Sequence, residues 1–171
     1  MRRVFGITGW KNSGKTTLTE KLVTELVARG WTVSTVKHAH HDFDIDKPGA
    51  DSFRHRQAGA TEVAIVSGRR WALMHELREE NEPTLDDILA RLSPADIVLV
   101  EGYKREAHKK IEARRLEAKD RTPLSANDPN IVAVAADFTV EGGDLPVFDL
   151  DDTKSIADFI ERSTGLVAQT N

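Results

Sequence analysis

Residues 9–17 read GWKNSGKTT, which is the P-loop pattern G-x-x-x-x-G-K-[ST]. An apolar run at residues 4–7 precedes the loop, and a helical apolar pattern follows it, so the setting is strand, loop and helix. The glycines allow a tight turn that directs successive N–H groups to one point, and the helix adds its unpaired N–H groups and the positive end of its dipole. We predict that Lys15 contacts the terminal phosphates of a nucleotide and that the Thr16 hydroxyl holds Mg²⁺. The predicted nucleotide-binding residues of the loop are Gly9, Lys11, Asn12, Ser13, Gly14, Lys15, Thr16 and Thr17.

Strand and helix patterns alternate along the rest of the chain. Strands are predicted near residues 3–8, 31–37, 61–66, 96–102, 130–137 and 146–148, and helices near residues 14–29, 48–59 and 84–92 and from residue 153 onwards. Residues 71–74 are predicted to return antiparallel, as a hairpin or an edge strand. The basic stretch 103–119 fits either a charged helix or a strand at 111–114. This alternation predicts a doubly wound α/β domain with a mostly parallel sheet and a P-loop NTPase fold. We expect residues 1–171 to form a single domain, with 166–171 as a loose tail.

In such a sheet the ligand crevice lies at the carboxyl ends of the strands. Glu101 ends an apolar strand where P-loop proteins carry the acid that supports Mg²⁺. Asp137 ends another strand, and a carboxylate there can accept hydrogen bonds from N1–H and the exocyclic amine of guanine, whereas it matches adenine poorly. Both acids could instead face solvent or cap a turn, and that alternative stays open at this point.

Residues 38–46 read HAHHDFDID and follow the second predicted strand, where switch-like loops contact the γ-phosphate and the metal. The aspartate spacing resembles the start of a calcium loop, but Lys47 stands in place of the required glycine and Phe53 in place of the bidentate glutamate. Contact with phosphate, substrate or a partner protein, a transition-metal site and a solvated loop are the interpretations that remain. The candidate residues are His38, His40, His41, Asp42, Asp44, Asp46 and, after Glu101, Lys104.

The composition limits the remaining classes of function. The formal net charge is −4 over 171 residues, which does not suggest a general nucleic-acid binder. The chain has no cysteine, which excludes a disulfide framework and thiolate metal sites and fits a reducing compartment. Since no apolar stretch approaches membrane-spanning length and the N-terminus runs directly into a strand, we expect a soluble cytoplasmic protein without a signal peptide or a membrane partner.

Four stretches together resemble the MobB family. They are residues 9–17, residues 36–52 (VKHAHHDFDIDKPGADS), residues 101–104 (EGYK) and residues 128–137 (DPNIVAVAAD), and the likeness spans about residues 2 to 162. The resemblance implies a GTP-binding adaptor with weak GTPase activity, usually a homodimer. Such an adaptor assists the guanylyltransferase that attaches GMP to molybdopterin in the synthesis of molybdopterin guanine dinucleotide. A molybdenum-insertion protein is a further expected partner.

The chain departs from the wider class around this family, which includes metal-insertion GTPases and dethiobiotin synthetase. Many members carry an early P-loop lysine where this chain has Trp10, and Lys11 is displaced by one position. A lysine that reaches across a dimer interface is therefore not carried over. The guanine signature Asn-Lys-x-Asp is also absent.

The leading hypothesis is a GTP-binding accessory protein of molybdenum cofactor synthesis that requires Mg²⁺. A small-molecule kinase or ligase, in which Asp42 or Asp44 orients an acceptor, is one alternative. A nickel or zinc metallochaperone that uses His38, His40 and His41 is the other.

Overall fold

A computed structural model describes residues 2–39, 43–141 and 143–167 of the chain. In chain order the elements are β1 (Val4–Thr8), α1 (Lys15–Ala28), β2 (Val33–Lys37), α2 (Asp51–Gln57), β3 (Glu62–Val66), β4 (Trp71–His75), α3 (Leu85–Arg91), β5 (Ile97–Glu101), β6 (Lys110–Arg114), a 3₁₀ turn (Leu124–Ala126), β7 (Ile131–Ala136), β8 (Val147–Asp149) and α4 (Thr153–Thr164). Within these described ranges, no helix is long and apolar enough to cross a membrane.

The six-stranded main sheet has the order β2-β5-β1-β6-β7-β8, and every neighbouring pair in it is parallel. The doubly wound, mostly parallel sheet predicted from the sequence is confirmed. Because parallel strands end at the same edge, residues at the ends of β2, β5, β1, β6 and β7 lie along one edge in that order. The crevice expected from the sequence is thereby assembled from segments far apart in the chain.

The hydrophobic core lies between the sheet and the two helices α1 and α4. Leu18, Leu22 and Leu26 recur every fourth residue, so they share the inner face of α1. They pack against Phe5 and Ile7 of β1, and all five side chains are buried. This packing fixes the first turn of α1 at the carboxyl end of β1, where the P-loop joins them.

Strand β6 resolves the ambiguity of the basic stretch, because its charged and apolar residues alternate. Ile111 and Ala113 join the hydrophobic core on one face of the strand. Lys110 and Glu112 lie on the other face, and each is only 1% exposed. The period of two is that of a strand, although the charged residues hide it when the sequence is read for apolar runs.

The chain divides into two compact units, residues 1–38 with 88–171 and residues 39–87. The smaller unit contains α2 and the antiparallel hairpin of β3 and β4, which forms a separate two-stranded sheet. The predicted antiparallel return is confirmed, as a hairpin apart from the main sheet. The single domain over residues 1–171 stays a prediction.

Candidate functional site at the carboxyl edge of the sheet

The loop between β1 and α1 has the backbone that a phosphate-binding loop needs. Gly9 and Gly14 have φ angles of 145° and 88°, in the region that favours glycine. A Cβ on Gly9 would lie 2.3 Å from Ser13 Oγ and 2.5 Å from the carbonyl oxygen of Ala113. No side chain fits at Gly9, so the backbone passes close to the strand end and turns directly into α1.

A cavity of about 490 Å³ opens over this loop. Its lining residues are Asn12, Ser13, Gly14, Lys15, Thr16, Thr17, Arg115 and Glu117. Six of these eight residues belong to the predicted P-loop, so the loop does border a ligand-sized space. Arg115 and Glu117 follow β6 and were not among the predicted site residues, because the strand that carries them to the edge was itself uncertain from the sequence.

The Ser13 hydroxyl provides a test of whether the loop suits an anion. Ser13 is 2% exposed, and its Oγ has no hydrogen-bond partner among the described residues. A buried hydroxyl without a partner is unfavourable unless a ligand supplies one. The N-terminus of α1 adds N–H groups that have no partner within the helix, and together with this donor they fit a phosphate group.

Lys15 lies across the loop, where its Nζ donates a hydrogen bond of 2.6 Å to the carbonyl oxygen of Trp10. Burial lowers the pKa of the Lys15 amine below its ordinary value, and the Glu101 carboxylate opposes this change. The ammonium groups of Lys104 and Lys37 add to the lowering of that pKa. The Glu101 carboxylate and the ammonium groups of Lys104 and Lys37 therefore all lie within electrostatic reach of Lys15 at this edge of the sheet.

Thr16 and Glu101, the two predicted metal residues, are in direct contact. The Thr16 hydroxyl donates a hydrogen bond to Glu101 Oε1 over 2.9 Å. Glu101 is 7% exposed and pairs in register with Ile7 of β1, so the sheet itself holds the carboxylate beside the loop. A hydroxyl and a carboxylate oxygen on a fixed backbone form a donor set suited to Mg²⁺.

Lys104 is in contact with the P-loop residue Trp10. The Lys104 ammonium lies 4.1 Å from the centroid of the Trp10 ring, within the range of a cation–π interaction. The indole N–H of Trp10 donates a 2.7 Å hydrogen bond to the carbonyl oxygen of Thr122. Trp10 thereby connects the P-loop to the segment after β6.

Asp137 lies at the predicted edge but is engaged with the segment after β6. Its Oδ1 accepts a 2.8 Å hydrogen bond from the backbone N–H of Leu116, and its Oδ2 lies 3.5 Å from Nε of Arg115. Arg115 also pairs with Glu117 over 2.7 Å. Asp137 thus positions the two residues that border the cavity, and its contact with guanine stays a prediction.

The histidine and aspartate segment is divided between the two units. In the larger unit, the His38 ring packs on Tyr103 with centroids 5.0 Å apart. The backbone N–H of His38 donates a 2.9 Å hydrogen bond to the carbonyl oxygen of Glu101. In the smaller unit, Asp44 and Asp46 both pair with Arg56, at 2.9 and 2.5 Å. The Arg56 guanidinium holds the pKa of Asp46 below its ordinary value.

His40, His41 and Asp42 lie outside the described residues, so the predicted roles of these three side chains stay predictions. Among the residues that are described, no group of three or more His, Cys, Asp or Glu side chains could hold a metal ion. Lys11 is exposed within the loop and does not line the cavity.

Comparison with known proteins identifies the family. The family model described as molybdopterin guanine dinucleotide synthesis protein B, MobB, matches residues 4–137. Over 159 residues the chain is 40% identical to a molybdopterin-guanine dinucleotide biosynthesis adapter protein of Escherichia coli, covering 92% of this chain and 90% of that protein. A protein of the same name from Haemophilus influenzae is 42% identical over 162 residues, covering 93% of this chain and 88% of that protein.

Among solved structures, the crystal structure of a MobB homolog from Bacillus stearothermophilus has a TM-score of 0.73 and 34% identity. The match covers 96% of this chain and 99% of that one. The resemblance seen in the four sequence stretches is therefore confirmed over nearly the whole chain.

Proposed function

Since the chain belongs to the MobB family, we propose that it is a GTP-binding adapter protein of molybdopterin-guanine dinucleotide biosynthesis. In this proposal the protein binds GTP with Mg²⁺ and hydrolyses it slowly. It assists the guanylyltransferase that attaches GMP to molybdopterin, and a molybdenum-insertion protein is a further proposed partner.

The contact between Thr16 and Glu101 beside the P-loop carries the nucleotide part of the proposal. A glycine-rich turn alone would support only anion binding. The 2.9 Å hydrogen bond between the two side chains adds a candidate metal position at the first turn of α1. Phosphate and metal sites next to each other are the arrangement that nucleoside triphosphates require.

Each part of the site has a proposed role. Lys15, Ser13 and the loop N–H groups would hold the phosphates, and Thr16 and Glu101 would hold Mg²⁺. When bound, Mg²⁺ would neutralise phosphate charge. Asp137 remains the proposed guanine acceptor, because among the described residues its Oδ2 has just the 3.5 Å contact with Arg115 and keeps capacity to accept hydrogen bonds.

The cavity lining supports slow hydrolysis. Of the described residues that border it, only Glu117 carries a carboxylate, and that carboxylate is paired with Arg115 over 2.7 Å. A general base must be within hydrogen-bond reach of the attacking water and must be free to accept its proton. Glu117 in its ion pair is poorly suited to that task, which agrees with a protein that binds nucleotide more effectively than it turns it over.

The hairpin of the smaller unit supports the proposed homodimer. Val66 and Trp71 are register partners on one face of the hairpin, and they are 75% and 70% exposed. Leu73 extends the same face and is 49% exposed. Apolar residues gathered on one face of a short sheet are typical of an interface. We expect the protein to sediment as a dimer and Trp71→Glu to shift it towards the monomer, whereas a monomeric wild type at micromolar concentration would contradict this part.

The nucleotide proposal is tested by calorimetric titration of the full chain with GTP and with ATP, each with and without Mg²⁺. We expect GTP to bind more tightly than ATP and to require Mg²⁺. Lys15→Met should abolish binding, whereas Lys154→Met, which removes an exposed lysine of α4, should not change it. Equal affinities for the two nucleotides would rule out the guanine-specific part and leave the phosphate site in place.

The adapter role is tested by co-purification from cells that make molybdenum enzymes. We expect the guanylyltransferase to be recovered with the tagged chain. Recovery of neither the enzyme nor bound pterin would contradict the assignment to cofactor synthesis. Rapid GTP turnover stimulated by a small metabolite, without a partner protein, would favour the kinase or ligase alternative.

A further inference from the structure

Lys37 lies beside the two side chains proposed to hold the metal. It is the last residue of β2, and it pairs in register with Glu101, the last residue of β5. Its Nζ is 3.3 Å from Glu101 Oε1 and 3.5 Å from Thr16 Oγ1. One ammonium group therefore approaches the same two oxygens that would face a divalent cation.

Glu101 and Lys37 are buried to different extents. The Glu101 side chain is 9% exposed, and the sheet fixes its position, whereas the Lys37 side chain is 59% exposed. A largely buried carboxylate is unfavourable without a nearby positive charge. Lysine offers a compact charge on a flexible stem, so it can balance Glu101 and still withdraw into solvent.

Lys15 does not take this role, although it is close to the same acid. Its Nζ is bound to the carbonyl oxygen of Trp10 at 2.6 Å, within the P-loop. Lys104 is likewise placed over the Trp10 ring, at 4.1 Å from its centroid. Of the three lysines that influence this edge, only Lys37 has a described contact with both Thr16 and Glu101.

We propose that Lys37 is a built-in cation that competes with divalent metal for the Thr16 and Glu101 side chains. This inference rests on the proposed function, because it assigns a regulator to the metal position of the nucleotide site. Two cations cannot share one buried carboxylate without strong repulsion, so a divalent ion must displace the ammonium. Metal binding is thereby weakened in the free protein, and the site favours metal that arrives with a nucleotide.

The experiment measures binding of Mn²⁺ alone, without nucleotide, from the loss of the free-ion electron paramagnetic resonance signal. Mn²⁺ serves as the probe because carboxylate and hydroxyl oxygens bind it as they bind Mg²⁺. We expect Lys37→Met to bind Mn²⁺ about fivefold more tightly than wild type, since a partly exposed ion pair contributes up to about that factor. Lys37→Arg keeps the charge and should stay near the wild-type affinity.

Two matched variants connect the effect to this site. Lys154→Met removes the same charge from the exposed surface of α4 and should leave Mn²⁺ binding unchanged. Adding Glu101→Gln to Lys37→Met should cancel the gain. An effect of fold stability alone would lower the melting temperature of Lys37→Met but would not tighten its Mn²⁺ binding.

The inference is overturned if Lys37→Met binds Mn²⁺ no more tightly than wild type, or if Lys154→Met gains as much. A parallel titration with GTP separates this outcome from failure of the proposed function. If no GTP binds, the nucleotide proposal fails, while the Mn²⁺ measurement still decides the role of Lys37.

Discussion

The Thr16 hydroxyl donates a hydrogen bond to Glu101 Oε1 over 2.9 Å, although the two residues are 85 positions apart in the chain. Thr16 lies in the first turn of α1, and Glu101 ends β5, so the contact exists only because β5 lies next to β1 in the sheet. We expect Glu101→Gln to weaken Mg²⁺ binding in the presence of GTP by about 10- to 100-fold, as loss of a metal-supporting carboxylate does elsewhere. Titration of Mg²⁺ at fixed GTP measures this.

Asp96 provides the control, because it lies just before the opposite end of β5. It accepts hydrogen bonds from the backbone N–H and the hydroxyl of Thr32, at 2.8 and 2.6 Å. Asp96→Asn should cost stability without changing the Mg²⁺ requirement. If both variants changed that requirement equally, the effect would come from the strand rather than from the site.

The second prediction concerns Glu112, which holds the segment after β6. Glu112 is 1% exposed, and its carboxylate pairs with Arg114 at 2.7 Å. The carboxylate also accepts hydrogen bonds from the backbone N–H groups of Leu124 and Ser125, at 2.9 and 3.1 Å. Glu112→Gln leaves Arg114 without its charge partner, so we expect a loss of about 3 kcal/mol in the free energy of unfolding. Denaturant unfolding measures that loss, and hydrogen exchange should show faster exchange in residues 116–127.

Glu117→Gln is the matched control for Glu112, because it makes the same change in an exposed pair of the same segment. The Glu117 side chain is 65% exposed. We expect Glu117→Gln to lower the free energy of unfolding by less than about 0.5 kcal/mol. A similar cost for both variants would mean that burial does not determine the importance of Glu112.

The third prediction concerns the buried pair of Lys110 and Asp128, whose Nζ and Oδ2 lie 2.7 Å apart. Lys110 is 1% exposed, whereas the Asp128 side chain is 19% exposed. Burial opposes ionisation of Asp128, but Lys110 and the N–H groups of Asn130 outweigh it and hold its pKa below the ordinary value. Asp128→Asn should therefore cost about 3–5 kcal/mol, because it leaves a fully buried ammonium without a counter-charge.

Lys110→Met should cost less than Asp128→Asn. Asp128 keeps its hydrogen bonds from Asn130 and has partial access to water, so its charge stays solvated. Equilibrium unfolding of both variants measures the two losses in the free energy of unfolding. An equal cost would mean that the attraction between the charges, rather than the desolvation of Lys110, sets the energy.

The fourth prediction concerns pH and His108. Burial lowers the pKa of His108 to about 4 from its ordinary value of 6.5, with the Lys110 ammonium contributing and Asp128 opposing. Its Nδ1 is buried without a hydrogen-bond partner among the described residues. Between pH 6.5 and 4 the unfolded chain binds this proton and the folded chain does not, so stability falls as the pH falls through that window.

We expect His108 to account for roughly 2–3 kcal/mol of the stability lost between pH 6.5 and 4. In His108→Gln the dependence of the unfolding free energy on pH should be shallower in that window. His75 acts with the opposite sign, because hydrogen bonds from its ring to Glu62 and Glu80 raise its pKa. Its contribution is the same in both proteins and cancels in the comparison, so parallel pH profiles would contradict the prediction.

The strands show how much of this fold could be predicted from the sequence. The strand ending at Glu101 was predictable, because a strand buried on both faces reads as a continuous apolar run. Strand β6 was ambiguous, because Lys110 and Glu112 are buried yet charged, and their partners Asp128 and the 3₁₀ turn come later in the chain. The sequence around a charged residue does not indicate whether a distant residue will neutralise its charge in the folded protein.

The sequence by itself determined the P-loop pattern, the alternation of strands and helices, and the family. Each of these depends on residues within one short stretch or on consistent order along the chain. Only the tertiary structure decided which distant groups meet at the loop. Strand order and register bring the polar side-chain atoms of Lys37, Glu101 and Thr16 within 3.5 Å of one another. Strand pairing depends on long-range packing, so the contact between the two predicted metal residues, and the approach of Lys37 to both of them, emerge only from the folded sheet.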